Sequence, residues 1–126
     1  MKSNVNMKNG TVKSGEFTYC RMPRKLKAYE NEYTIPVRTV EFEEKLDCAA
    51  KKIAETDNAY DTVLAVREGI ALFIGAEEVE KHFPKEKLPE LDVDEILGFW
   101  SALNFELREA QNELLAKYRP SPNIRR

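Results

Sequence analysis

One stretch, residues 59–83, limits the folds open to this chain more than any other part of its sequence. Up to Ile74, apolar residues recur in it at intervals of three and four, which is the spacing of one face of an α-helix. Gly75 stands where a helix commonly ends in a left-handed residue, and the acidic residues after it suit the first turn of another helix. The stretch therefore predicts two helices, over 59–74 and from 76, joined at a glycine.

Two further amphipathic helices lie on either side of this stretch. The first spans residues 40–55, begins at the capping residue Thr39 and has its apolar side chains on one face. The second begins with a capping box, in which Asp92 and Glu95 would each accept a hydrogen bond from the other's amide. Its apolar stripe continues for about seven turns. We expect one unbroken helix over 92–118, stopped by the prolines that follow.

The part of the chain before the helices has the pattern of short strands. Residues 16–20 and 32–38 alternate apolar and polar side chains, and prolines next to or within them limit the length of each strand. A pair of such strands is marginal alone and has to pack on something else. Residues 1–15 are polar and read as a flexible leader, and residues 85–88, between Pro84 and Pro89, read as a loop.

These patterns together predict a mostly α protein of the α+β class. A short N-terminal β arm or hairpin would be followed by a bundle of three main helices plus one short helix. The chain has 126 residues, which is the size of one domain. We place that domain at 16–118, with the β arm at 16–38 and the helical body at 39–118, followed by a basic, proline-containing tail at 119–126.

Residue types that carry chemistry are sparse in this sequence. The single histidine, His82, is interpreted as a complement to the C-terminal end of the short helix. Cys20 and Cys48 are far apart and are predicted to be free thiols, with Cys48 on the inner side of the first helix. Phosphate-loop motifs and metal-ligand spacing are missing, and the acidic residues fall on predicted solvent faces. We expect no cofactor, no metal site and no enzymatic activity.

Charge is distributed unevenly along the chain. Residues 1–38 carry eight basic and three acidic residues, residues 39–118 carry nine and nineteen, and the tail adds three arginines. Such opposite charges either provide electrostatic contacts between protomers or with a partner, or only keep the protein soluble. Nucleic acid is disfavoured as a ligand because none of the predicted helices is basic. With no apolar run long enough to span a membrane and no apolar segment of a secretory signal, we expect a cytoplasmic protein without membrane contact.

The long helix carries more apolar surface than one stripe requires. Gly98 predicts the close approach of another element, while Phe99 and Phe105 lie off the stripe and widen it to two faces. Either this helix is packed on both sides, or it presents a patch to a partner. We predict that the molecule binds a protein and self-associates as a homo-oligomer. The residues predicted to bind partners are Tyr33, Ile35, Phe99, Phe105, Arg119, Arg125 and Arg126.

A β arm, a first helix, a helix closing in Phe73-Ile74-Gly75 and an acidic helix over 77–83 precede the capped long helix. This order, over 39–118, resembles that of the small tail assembly chaperones of long-tailed phages and prophages of Gram-positive bacteria. The resemblance implies a non-enzymatic protein of the host cytoplasm that binds tail-tube subunits and the tape-measure protein during tail morphogenesis. The alternative is a small phage or mobile-element regulator that binds a host protein or nucleic acid through the basic N-terminal arm. Salt separates the two, because nucleic-acid binding weakens steeply with salt and apolar contact does not.

Overall fold

The computed structural model describes residues 15–19 and 23–117, which are mostly helical and include one small β-hairpin. The predicted class, a hairpin followed by three main helices and one short helix, is confirmed. Residues 1–14 of the predicted leader and all of the predicted tail at 119–126 lie outside the described residues. The elements in chain order are β1 (Lys25–Ala28), β2 (Asn31–Thr34), α1 (Val40–Ala54), α2 (Ala59–Ile74), α3 (Ala76–His82), a 3₁₀ helix (Lys85–Glu90) and α4 (Val93–Ala116).

The first two helices begin at the side-chain caps that their sequences provide. Thr39 Oγ1 accepts a hydrogen bond from the Phe42 amide at 3.0 Å, and Asn58 Oδ1 accepts one from the Asp61 amide at 2.8 Å. Each bond satisfies a donor that has no partner within the helix. At the other end of α2, Gly75 has a φ of 93°, a region open to glycine, and it turns the chain directly into α3. The predicted helices at 40–55 and 59–74 are confirmed to within one residue.

Helix α2 is the centre of the molecule, because α1, α3 and α4 all pack against it. Its side chains at Val66 and Ile70 are completely buried. The long helix α4 packs on one side of α2, where it buries the face that includes Ile96 and Leu103, and it also contacts β1 of the hairpin. The hairpin, α1, α3 and the 3₁₀ helix add side chains to the same apolar cluster, which is one continuous core.

Close approach between α2 and α4 is made possible by Gly69. A Cβ atom placed on Gly69 would lie 2.6 Å from Cζ3 and 2.8 Å from Cη2 of the Trp100 ring. These distances are shorter than van der Waals contact, so the Trp100 ring occupies the space that a side chain at 69 would need. A Cβ atom placed on Gly98 would have no neighbouring atom within 4 Å, and Gly98 is exposed. The prediction that Gly98 marks a close approach is therefore wrong, and the glycine that has this role is on α2.

The hairpin turns through two residues that have positive φ, Tyr29 at 53° and Glu30 at 62°. Positive φ at both central positions is the geometry of a type I′ turn, which normally selects asparagine or glycine. Tyr29 and Glu30 are neither asparagine nor glycine, so each carries a backbone strain of about 1–2 kcal/mol. The strands pair antiparallel with Leu26 opposite Tyr33, and the pairing continues to Ile35, whose amide donates to the Arg24 carbonyl at 2.8 Å.

Three local predictions, on the two strands and on the loop, are wrong in whole or in part. The first strand is Lys25–Ala28 and not 16–20, because the two-residue turn at 29–30 pairs the residues that immediately flank it. Within 16–20, residues 16–19 are not in a strand and Cys20 lies outside the described residues. The second strand, predicted over 32–38, ends at Thr34, two residues before a proline that has no amide hydrogen to donate. The predicted loop at 85–88 lies within the 3₁₀ segment Lys85–Glu90, which has a kink at the non-helical Lys87 and whose Leu88 is buried.

Helix α4 is continuous over Val93–Ala116 without a break at Gly98, as predicted; Tyr118 lies outside the described residues. Asp92 Oδ1 accepts hydrogen bonds from the amides of Asp94 at 2.9 Å and Glu95 at 3.3 Å. The other half of the predicted capping box is replaced, because the Glu95 carboxylate accepts a hydrogen bond from the Tyr29 hydroxyl at 2.8 Å. The start of α4 is thus used to hold the turn of the hairpin.

The two glycines provide a matched test of the α2–α4 contact. Both lie within helices, so exchange for alanine brings each the same gain in helix propensity. Only Gly69→Ala places a methyl group against the Trp100 ring. We expect the free energy of unfolding, measured by urea denaturation, to be about 1–3 kcal/mol lower for Gly69→Ala than for Gly98→Ala. Equal stability of the two variants would show that the helices do not approach each other as described.

Candidate functional site

An apolar groove runs between α1 and α2 on the surface of the helical body. It has a volume of about 450 Å³, and its floor contains Cys48, Ala49 and Leu72. The side chains of its floor on α1 are small, which leaves open space above them. Charged residues of both signs form the rim, and Lys52 of α1 reaches Glu68 of α2 at 2.7 Å. An apolar floor with a charged rim is the arrangement that proteins use to hold a helix or an extended segment of another chain.

Cys48 lies in this groove, which corrects its predicted position on the inner side of α1. The buried side chain of α1 is Leu46, and Phe42 and Ile53, on the same side of the helix, pack partly against the core. Cys48 is two residues from Leu46, so the 100° rotation per residue carries its side chain away from the core. Its thiol is free and exposed, as the prediction of free thiols requires for this cysteine.

Three of the residues predicted to bind partners belong to the core. Tyr33, Ile35 and Phe99 expose 8 %, 3 % and 6 % of their surface. Their prediction as a contact surface is wrong for the folded chain, because the hairpin folds over α4 and covers Phe99 with its own apolar side chains. Phe105 exposes 53 % on the other side of α4 and remains accessible. Arg119, Arg125 and Arg126 lie outside the described residues.

The hairpin is held on α3 by a hydrogen-bonded cluster around Tyr33. The Tyr33 hydroxyl lies 2.9 Å from Glu78 Oε1 and 3.0 Å from His82 Nε2. An ionised carboxylate can only accept, so the single hydroxyl proton of Tyr33 goes to Glu78. His82 Nε2 lies 3.0 Å from the Tyr33 oxygen and 3.3 Å from Glu78 Oε1, so the tautomer that has its hydrogen on Nε2 can donate to either oxygen. The Tyr33 oxygen also accepts from Asn31 Nδ2 at 3.3 Å. These hydrogen bonds join the hairpin to α3, so we interpret the cluster as an attachment of the hairpin.

The turn of the hairpin is held in the same way by Tyr29. Its hydroxyl donates to Glu95 of α4, and its ring stacks on His82 with the ring centroids 4.8 Å apart. The edges of Phe83 and Phe99 complete the surroundings, with centroids 5.7 and 5.3 Å from that of Tyr29. Burial raises the pKa of Tyr29, and the hydrogen bond to Glu95 raises it further. These contacts compensate for the positive φ of Tyr29.

A third contact holds the hairpin on the helical body, and in it carboxylates of α4 bind the arginine that precedes β1. Arg24 Nε and Nη1 reach Glu106 and Glu113 of α4, each at 2.6 Å. On the outer face of the hairpin, Lys25 and Lys27 lie 3.6 and 3.9 Å from the Glu32 carboxylate. Much of the positive charge of the arm that the structure describes is therefore matched within the chain. The other basic residues of the arm, at positions 2, 8, 13 and 21, lie outside the described residues.

Sequence reasoning missed these attachments because each joins residues that are far apart in the chain. His82 was interpreted through its place at the end of a helix, yet the Tyr33 hydroxyl and the Tyr29 ring take up its surroundings. The sequence does contain one sign of the docked face. Leu26, Ala28, Asn31 and Tyr33 occupy alternate positions of the two strands, which places all four side chains on the same face of the hairpin. The partner of each side chain depends on the docking of the hairpin, which no local pattern encodes.

The described residues contain no group of three or more His, Cys, Asp or Glu side chains arranged to hold a metal ion. Over the same residues, no helix combines the length and the apolar character needed to cross a membrane. Comparison of the chain with protein family profiles, with curated proteins and with solved structures finds no match.

The Glu78 attachment should make stability depend on pH. The hydrogen bond from Tyr33 is the main cause of the lowered pKa of Glu78, and the neighbouring Lys81 and His82 add to it. A carboxyl group with a lowered pKa stabilises the fold above its unfolded value of about 4.3, and this contribution is lost as the pH falls through the folded value. We expect the free energy of unfolding to fall less steeply below about pH 4.5 in Glu78→Gln than in the unchanged protein.

Glu77→Gln is the matched control, since Glu77 is the exposed neighbour of Glu78. Urea denaturation at a series of pH values should give this variant the slope of the unchanged protein. An identical acid dependence of Glu78→Gln and Glu77→Gln would contradict the attachment through Glu78.

The opposite positions of the two phenylalanines of α4 provide a second test. Phe99→Ala removes a buried ring and should lower the free energy of unfolding by about 3–5 kcal/mol. Phe105→Ala changes an exposed side chain and should stay within about 0.5 kcal/mol of the unchanged protein. Thermal and urea denaturation measure both. Equal losses would mean that Phe105 is also interior, which would contradict the described orientation of α4.

Proposed function

We propose that this protein is a non-enzymatic tail assembly chaperone of a long-tailed phage or prophage. It would bind tail-tube subunits and the tape-measure protein in the host cytoplasm and cover their aggregation-prone surfaces until assembly. The observation that carries the proposal is the sequence from Phe73 to Phe83, in which a helix closes in Phe-Ile-Gly and an acidic helix follows. The order of elements around that sequence supports it, with a hairpin before α1 and a capped long helix after the 3₁₀ helix.

The sequence features behind the resemblance take part in packing. Phe73, Val79 and Phe83 are buried, and Gly75 supplies the positive φ between the two helices. These residues specify how α2 and α3 pack, and the three buried side chains have little surface left to offer a partner. The surface for partners must lie elsewhere, and the α1–α2 groove is our candidate for it.

The groove supports a mechanism of reversible burial. A partner segment would place apolar side chains over Cys48, Ala49 and Leu72 while its charged residues contact the rim. Apolar burial would supply the affinity, and the mixed charges of the rim would select among partners. Phe105, exposed on α4, is a second apolar point on the helical body. Homo-oligomers would form through the same kinds of contact.

The proposal expects a tail-tube gene and a tape-measure gene on either side of the gene for this chain, and co-expression with the proteins that the neighbouring genes encode tests it. We expect the chain to co-purify with at least one of them and to reduce its aggregation, measured by light scattering. Binding should persist as the salt concentration rises, because the main contribution is apolar. If neither protein binds or becomes more soluble, the proposal is wrong. Steeply salt-dependent binding to DNA or RNA would favour the alternative, a regulator acting through the basic arm.

The groove itself is tested by two substitutions on α1. Cys48→Glu places a charge in the apolar floor, whereas Ala50→Glu places the same charge at an exposed position that does not line the groove. Both positions are exposed, so both variants should fold. Cys48→Glu should weaken partner binding, and Ala50→Glu should not. Equal binding by the two variants would move the surface away from this groove.

A further inference from the structure

The arginines of the described residues follow a pattern with one exception. Arg24, Arg38 and Arg67 each hold a carboxylate, with nitrogen–oxygen distances of 2.6–2.7 Å. Arg108, the fourth, has no ion pair with any described residue and is exposed on α4. Arginine presents a planar fork of donors that matches a carboxylate. Among the described residues, Arg108 is therefore the one arginine that has no carboxylate partner.

Arg108 lies at a cleft between the beginning of α1 and the middle of α4. The α4 side is formed by Asn104, Arg108 and Gln111, whose spacing of four and three residues places them on one face of the helix. The α1 side is formed by Arg38 and Glu43. Below them lie the buried Leu46 and Leu107, and the volume of the cleft is about 160 Å³. A water molecule occupies about 30 Å³ in the liquid, several times less than the volume of the cleft, so the cleft has room for a small group such as a carboxylate.

The hydrogen-bonding capacity of the cleft is only partly used. Arg38 Nε donates to Glu43 at 2.7 Å, and this hydrogen bond lowers the pKa of Glu43, so the pair is ionised and matched. Asn104 Nδ2 donates to the Trp100 carbonyl at 2.9 Å, which leaves its side-chain oxygen available. Arg108 and the amide of Gln111 make no hydrogen bond to any described residue. The unused groups are therefore a cation, an amide donor and amide acceptors, directly beside one another.

We propose that this cleft binds the carboxylate of an acidic side chain from a partner polypeptide. Arg108 would hold the carboxylate through its guanidinium, which can donate two parallel hydrogen bonds to one carboxylate. Within the chain, the other arginines already bind Glu43, Glu80, Glu106 and Glu113 through one contact to each carboxylate. Gln111 and Asn104 supply the donor and the acceptors that a peptide backbone next to that side chain requires. Glu43 at the far side carries a negative charge, which disfavours a doubly charged phosphate more than a singly charged carboxylate.

This site goes beyond the proposed chaperone function, since none of its residues lines the α1–α2 groove. A carboxylate bound at the cleft would determine which acidic polypeptides the molecule accepts, whatever their role. Failure of the groove variants would leave the cleft untouched, and failure at the cleft would leave the groove untouched.

The test uses the full chain and a small probe, N-acetyl-glutamate amide, followed by NMR of side-chain N–H groups. We expect saturable shifts of the Arg108 Nε–H and of the Gln111 amide. The neutral analogue, N-acetyl-glutamine amide, should produce neither. Arg108→Gln should weaken binding about tenfold, the loss expected when a charge-assisted hydrogen-bonded contact is removed. Lys51→Gln, which removes an exposed cation that makes no ion pair with a described residue of α1 or any other element, should leave it unchanged.

Three results would overturn the proposal. One is the absence of saturable shifts at Arg108 and Gln111. Another is an equal loss of binding in Lys51→Gln, which would show that the probe responds only to overall charge. The third is binding of inorganic phosphate at these groups where the glutamate probe does not bind, which would make the cleft a phosphate site. Both substitutions are at exposed positions, so circular dichroism should show the same helix content in both variants.

Discussion

The packing of α2 between α1 and α4 is the constraint on which the remaining structure depends. Two of its side chains, Val66 and Ile70, have no exposed surface, and α1, α3 and α4 all contact the helix. Its most important residue for geometry is Gly69, because the Trp100 ring lies where a side chain would be. Burial of apolar surface is the main stabilising contribution in a chain of this size. The other helices are thus arranged around α2, and their outer faces become the molecular surface.

Once α2 and α4 are in place, four acidic side chains on α3 and α4 determine where the hairpin docks. Glu78 and Glu95 accept from the two tyrosines, and Glu106 and Glu113 accept from Arg24. A two-stranded hairpin is not stable alone, so these contacts and the apolar residues beneath them keep it folded. The strained turn at Tyr29 is compatible with this arrangement because the Tyr29 ring fills a position among three other rings.

The helices could be predicted from the sequence because caps and apolar periodicity are local signals. Their arrangement could not, since the apolar stripe of α4 does not reveal which helix faces it, and the choice between Gly69 and Gly98 depends on that neighbour. The strand at 25–28 was missed because Lys-Leu-Lys-Ala has weak β propensity and pairs only through its turn. The core positions of Tyr33 and Phe99 arise from docking of the hairpin. The groove at Cys48 and the cleft at Arg108 lie between helices, so their residues come together only after α1 has packed.

Native-state hydrogen exchange tests most directly whether α2 is the element on which the others depend. The amides of residues 66–73 should be the slowest to exchange, with opening free energies equal to that of global unfolding measured with urea. The amides of α4 and of the hairpin should exchange at the same free energy or a lower one. If amides of α4 stay protected under conditions in which those of α2 have exchanged, α4 holds the structure together without α2, and the central role of α2 is contradicted.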